Sequence, residues 1–189
     1  MYSFQKNFLT EKECSETITW FENNGEYIDA EISNYANSAG GGVDPKQRSG
    51  KVIFMRDKTF PAQNKIIKEA EEYAKEKGIK LNAGEVDWQF AKYTIGDHFQ
   101  MHRDMYPSYQ THITTPVCRK ISLSVQLSDP EDYEGGVFRM EITPGTVTHG
   151  PTELGSLLLF PSFYNHSISK ITKGTRYSLI GWYRGPFWT

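Results

Sequence analysis

The stretch Tyr93-Thr-Ile-Gly-Asp-His-Phe-Gln-Met-His-Arg-Asp104 decides how the rest of this chain is read. It joins two expected strands, 86–94 and 98–104, and the second ends in a His-x-Asp pair. On an extended strand residues i and i+2 share a face, so His102 and Asp104 point together while Arg103 points away. The same short-period patterning continues downstream, with strands expected at 118–128, 136–142, 155–160, 166–171 and 175–184. Upstream the pattern is different. Thr10-Glu-Lys-Glu13 is a capping box that opens a helix over 11–23, and Asn23-Asn24-Gly25 stops it. A strand at 51–56 follows. Pro61 then opens a helix over 61–77, with Ile66, Ile67, Ala70, Tyr73 and Ala74 as its apolar stripe and Gly78 at its end. Helices first and strands after, without alternation, argue against a parallel doubly wound sheet. The expectation is a mainly β (α+β) chain: an antiparallel β-sandwich or jelly roll, with the N-terminal helices packed outside.

Composition narrows the class. The 189 residues are enough for one domain of ordinary size, and no internal repeat or boundary interrupts them. A net charge of -2 does not favour nucleic acid or an acidic membrane. The two cysteines, Cys14 and Cys118, lie far apart and form no C-x-x-C pair, so they read as free thiols rather than a disulfide or zinc framework. No apolar run suits a signal peptide or a membrane span, and the expected location is the cytoplasm. One segment stands out as irregular: 33–50, rich in Ser, Asn and Gly around Gly40-Gly41-Gly42, reads either as a mobile lid or as an inert insertion.

The chemistry lies in residues far apart in the chain. One imidazole and one carboxylate on neighbouring same-face positions can chelate a metal ion, but a third ligand must come from elsewhere. His166 is the candidate. It follows the apolar run Leu157 to Phe160 and a proline-containing turn. Two His and one carboxylate, leaving coordination positions open, form the facial triad of non-haem Fe(II) oxygenases. His98, four residues before His102, either borders this site or stands as a surface histidine. Arg176 opens the last strand, and parity puts Ser178, Ile180 and Trp182 on its face. An arginine pointing inward beside Ile and Trp needs an anion, and a carboxylate fits a planar guanidinium. The other reading is a surface arginine paired with a nearby glutamate.

The order His102-x-Asp104, His166, Arg176 resembles the 2-oxoglutarate/Fe(II)-dependent oxygenase superfamily, in particular its prolyl and lysyl hydroxylase (prolyl 4-hydroxylase-like) branch. The flanking phrases from Arg119 to Gly136 and from Gly174 to Trp182 are similar as well. The resemblance covers roughly residues 86–184. It implies a double-stranded β-helix, with a jelly-roll core 86–184 supported by residues 1–85 in one dioxygenase domain spanning 1–189. It implies Fe(II) held by His102, Asp104 and His166, and 2-oxoglutarate paired through Arg176. Tyr93, nine residues before the first ligand, matches a tyrosine lining the co-substrate pocket. Ser178 and Trp182 match positions around the metal. Gln126 falls where some relatives place a tyrosine that helps hold the distal carboxylate, a departure that puts its contact in question. O2 is the implied oxidant, ascorbate an implied reductant, and succinate and CO2 the co-products.

The leading expectation for substrate is a peptidyl residue, foremost proline, held between segment 33–50 and the loop Met105–Val117 with Tyr106, Pro107, Tyr109 and Pro116. The alternative substrate is a free amino acid or other small molecule. A nucleic-acid demethylase is disfavoured by the absence of a basic stripe, although Arg184, eight positions after Arg176, shares its face by parity. A non-catalytic jelly-roll binding domain of the cupin kind is the reading from another class; it predicts no oxygen-dependent turnover.

Overall fold

The computed structural model describes residues 1–32, 42–55, 59–82, 84, 86–105 and 117–186. The elements run β1 (Ser3–Gln5), α1 (Glu11–Asn24), β2 (Ile28–Asp29), β3 (Lys51–Met55), α2 (Gln63–Glu76), β4 (Val86–Tyr93) and β5 (Phe99–His102). They continue with β6 (Val117–Gln126), β7 (Tyr133–Gly135), β8 (Phe138–Thr143), β9 (Thr146–His149), β10 (Leu157–Pro161), β11 (Asn165–Ile168), β12 (Ile171–Gly174) and β13 (Arg176–Pro186).

Two antiparallel sheets face each other. The major sheet has the order β1-β10-β6-β13-β4-β3-β2 and the minor one β5-β11-β8-β9, with β12 and β7 pairing as a separate ribbon. This is the jelly-roll arrangement expected from the strand patterning, with both helices against the outer face of the major sheet. Period-2 alternation assigns the side chains. On β6 Ile121, Leu123 and Val125, on β13 Leu179 and Tyr183, and on β4 Trp88 and Phe90 all join the helix-facing core. Their neighbours Ser122, Ser124, Gln89, Ser178 and Trp182 belong to the opposite face. Phe90 is central to the helix-facing layer, stacked on Phe21 of α1 at 5.0 Å and on Tyr177 at 5.6 Å. Phe90→Ala should lower the unfolding free energy by about 3–5 kcal/mol, the usual cost of emptying a buried aromatic site. Urea denaturation would measure it, and a loss under about 1 kcal/mol would mean that the layer collapses to fill the void.

Helix α1 begins as the sequence predicts. Thr10 accepts from the Glu13 amide at 3.2 Å, and the Glu13 carboxylate accepts from the Thr10 amide at 2.7 Å. Gly25 ends it for want of space, since a Cβ there would lie 2.2 Å from Ile53 Cγ2. Helix α2 differs from expectation by starting at Gln63. Ala62 at its N-cap is left-handed, with φ of 62°, and residues 61–62 form a turn. The expected strand 166–171 is two strands: β11 pairs in the minor sheet and β12 leaves it to pair with β7. Segment 33–41 and the loop residues 106–116, including Tyr106, Pro107, Tyr109 and Pro116, lie outside the described residues. Residues 42–50 are hydrogen-bonded: Asp44 O accepts from the amides of Gln47 and Arg48, and Arg48 bridges to Phe99. No described helix is long and apolar enough to cross a membrane.

Candidate active site

Strand β5 brings in His102 and β11 brings in His166, and the two residues are direct cross-strand partners. Asp104 lies beyond the end of β5, so strand alternation alone does not aim it. Its amide and that of Met105 both donate to Ser162 O, at 3.0 and 2.9 Å, which ties the chain after His102 to the end of β10 in the major sheet. The result is compact. One ligand atom from each of His102, Asp104 and His166 lies within 4.8 Å of the others. Asp104 Oδ1 is 3.6 Å from His102 Nε2, and Oδ2 is 3.5 Å from His166 Nε2.

Both imidazoles are oriented from behind. His102 Nδ1 lies 2.8 Å from Gln100 O and His166 Nδ1 lies 3.0 Å from Tyr164 O. A carbonyl only accepts, so each Nδ1 carries the proton and each Nε2 presents its lone pair to the shared space. Burial of His166, which outweighs the attraction of Asp104, lowers its pKa to about 4, so it is neutral at pH 7. Burial pushes the Asp104 carboxyl up, but His166, His102 and Ser122 together outweigh it and hold the group well below the usual carboxylate range. Ser122 Oγ donates to Asp104 Oδ2 at 2.6 Å and lies 2.9 Å from Ser162 Oγ. Two Nε2 atoms and one carboxylate, with no fourth protein ligand among the described residues, suit an octahedral ferrous ion better than a closed zinc site.

A cavity between the sheets adjoins the triad. Arg176, Tyr93, Ser178, Ile180, Trp182 and Ile168 all line it. Arg176 is 4 % exposed and donates to Ser178 Oγ at 3.2 Å; among the described residues no carboxylate pairs with it. It is therefore a buried cation facing a cavity, a state that a bound anion would relieve. It is not the surface ion pair of the other reading. Tyr93 is its direct partner across β4 and β13.

Several placements differ from expectation. Gln126 is buried but does not line the cavity; its amide donates to Ser128 O at 3.2 Å and to the Tyr133 hydroxyl at 2.9 Å. The Tyr133 ring and Arg176 Cδ both border the space above Gly136. His98 stays outside, with Nε2 3.2 Å from Lys46 O and Nδ1 3.3 Å from Ser49 Oγ. Arg184 follows a register shift in β13 and donates to Asp87 at 2.6 Å, away from the cavity. Sequence reasoning missed Arg48, Gln89 and Phe99, which also line the cavity. Only the inward parity of Gln89 was there to be found.

Residues 88–184, just over half of the chain, match the family described as the 2OG-Fe(II) oxygenase superfamily. A PKHD-type hydroxylase of Hyphomonas neptunium (strain ATCC 15444) is 32% identical over 94 residues, 50% of this chain and 41% of that protein. The aligned part of this chain thus spans less than half of that relative's length. Among solved structures, a Pseudomonas putida prolyl-4-hydroxylase superposes with a TM-score of 0.70 at 18% identity, over 98% of this chain and 93% of that one. The viral collagen prolyl hydroxylase of Paramecium Bursaria Chlorella virus-1, in a 2OG complex, gives 0.69 at 19% identity, over 97% and 96%. These likenesses carry the double-stranded β-helix fold. The matched segment includes His102, Asp104, His166 and Arg176, and the chain belongs to the 2OG-Fe(II) oxygenase superfamily, with Fe(II) and 2-oxoglutarate as its metal and co-substrate.

Proposed function

We propose that this chain is a hydroxylase that inserts oxygen into a C–H bond of a peptidyl residue, foremost proline. One observation carries the reading: four side chains from three parts of the sequence meet at one cavity with their ligating atoms unspent. Iron and 2-oxoglutarate, when bound, supply oxidative decarboxylation to succinate and CO2 coupled to hydroxylation by O2. The chain's own part is positioning. His102, Asp104 and His166 would hold the metal, and the carbonyls of Gln100 and Tyr164 orient the two imidazoles for it. Ser122 and Ser162 steady the Asp104 carboxylate. Arg176 pairs with the distal carboxylate of the co-substrate, beside Tyr93 and Ser178, and stays charged throughout. Gln126 acts one step back, orienting the Tyr133 hydroxyl, which accepts its amide proton and keeps its own to donate. Phe138, Phe160 and Ile168 wall the metal side with apolar surface and limit water there. Residues 1–85 serve as the support of this core within one catalytic domain.

The prolyl substrate is supported by the fold shared with prolyl hydroxylases and by a cavity mouth that opens beside His102 and Asp104. The experiment is anaerobic addition of Fe(II) and 2-oxoglutarate, then air with proline-containing peptides. A visible charge-transfer band, succinate formation and a mass gain of one oxygen atom on a peptide are expected. Absence of both band and succinate would sink the oxygenase reading; succinate without any peptide product would sink the prolyl one.

A further inference from the structure

Arg48 is 6 % exposed, and nothing in the roles assigned so far needs it. It ends the turn set by Asp44, its backbone amide donating to Asp44 O at 2.9 Å. Its guanidinium lies over the Phe99 ring at 4.5 Å, and Phe99 stacks on the His102 ring at 3.5 Å. Arg48 is thus separated from a metal ligand by a single aromatic ring. Nη1 donates to Glu31 O at 2.9 Å and Nη2 to Gln89 Oε1 at 3.1 Å, while Nε is buried with no acceptor. Its partners are a carbonyl and an amide, both neutral. Among the described residues no carboxylate pairs with it, and a guanidinium does not shed its proton to escape the cost.

Its position distinguishes it from Arg176. Arg176 and Ser178 border only the inner cavity, whereas Arg48, Gln89, Phe99 and Trp182 border both that cavity and the outer mouth where a substrate enters. The mouth is also rich in cations. Arg103 is exposed and makes no ion pair among the described residues. Arg119, stacked on Trp182 at 3.9 Å, shares Asp87 with Arg184, at 3.7 and 2.6 Å. Against Arg48, Arg103 and Arg119 the mouth-lining acids among the described residues are Glu31 and the triad's own Asp104.

We infer that Arg48 is the receptor for a carboxylate on the primary substrate, so that this site selects molecules bearing an acidic group close to the hydroxylated carbon. The inference rests on the hydroxylase reading and adds the charge of the substrate to it. The same carboxylate chemistry has two sources, an acidic side chain beside a peptidyl proline or the α-carboxylate of a free or terminal amino acid. Arg48 positions the substrate and takes no part in bond breaking.

The test is calorimetric titration of the protein loaded with Mn(II) and 2-oxoglutarate, in the absence of O2. The probes are matched pairs differing in one charge. Blocked aspartyl-proline or glutamyl-proline peptides are set against their asparaginyl and glutaminyl forms, proline peptides with a free C-terminus against amidated ones, and L-proline against L-prolinamide. In the wild type, the acid of at least one pair should bind ten or more times tighter than its amide, and the pair that does so names the source. Arg48→Gln should bring that ratio within twofold. Arg48→Lys, which keeps the charge without the planar fork, should leave an intermediate ratio, and it decides the matter should Arg48→Gln fail to fold. The inference is overturned if the wild type discriminates in no pair or if the ratio survives in the variants. It is also overturned if Arg48→Gln weakens 2-oxoglutarate itself more than threefold, which would place Arg48 in the co-substrate site. Failure of the hydroxylase reading would show separately, as absence of the wild-type charge-transfer band and of succinate.

Discussion

Asp104→Ala is expected to abolish the Fe(II)-dependent charge-transfer band and to reduce succinate formation by more than about 100-fold. Losing a group that merely orients a ligand already costs metal sites about 10–100-fold. Here the loss is the single carboxylate of the triad, with its oxygens 3.6 and 3.5 Å from the two Nε2 atoms. Without it the remaining protein donors are two neutral imidazoles, a weak set for a hard ferrous ion. The fold should survive. The turn that carries residue 104 is held by backbone amides to Ser162 O, and Ser122 keeps Ser162 as a partner at 2.9 Å. Metal titration followed at the band, with circular dichroism as a control for folding, is the measurement. Wild-type metal affinity in the folded variant would remove Asp104 from the metal site.

Arg176→Met should separate binding from stability. Truncating one partner of a buried charge pair costs about 2–5 kcal/mol, which is roughly 30- to several-thousand-fold in Kd for 2-oxoglutarate. In the unliganded protein the same change removes a cation that hydrogen-bonds Ser178 Oγ, with no carboxylate partner among the described residues, and substitutes an apolar chain of similar length. Replacing an uncompensated buried charge in this way is neutral or stabilising. The thermal midpoint without 2-oxoglutarate should therefore hold or rise, while the upward shift produced by 2-oxoglutarate disappears. Calorimetric titration and paired melting curves test both halves. An unchanged Kd would show that the co-substrate carboxylate binds elsewhere in the cavity.

Much of this architecture is legible from local chemistry. The Thr10–Glu13 capping box acts within one turn of chain. The alternation on β6 and β13 sorts each strand into a helix-facing and a cavity-facing set, because successive side chains must leave a pleated strand on opposite sides. The same parity places Arg176, Ser178, Ile180 and Trp182 on one wall. The short elements escaped for the opposite reason. β1, β2 and β7 are three residues long or less, too short for a period to show, and each pairs with a strand far along the chain.

Arg48 marks the limit most clearly. In the run Pro45-Lys-Gln-Arg-Ser-Gly50 it reads as a solvated cation like its neighbour Lys46. Its burial follows from a bridge to Phe99 and a hydrogen bond to Gln89, 41 positions away in the chain, contacts that leave no local trace. Gln126 shows the converse: its place on the inner face of β6 was readable, but its partner Tyr133 lies on another element.

Taken by itself, the order His102-x-Asp104, His166, Arg176 determined the class of chemistry, since only a few metals and co-substrates suit those groups together. It also determined that the strands form antiparallel layers with one apolar and one polar face. Only the tertiary structure decided how the groups meet. Asp104 leaves β5 and is aimed by Ser162; the two imidazoles become cross-strand partners; and Arg48 is sealed one aromatic ring away from His102. The physical reason is that a residue's type and local period set its valence and the face it occupies. What it finally touches depends on chain closures between distant segments, which have no local period to read.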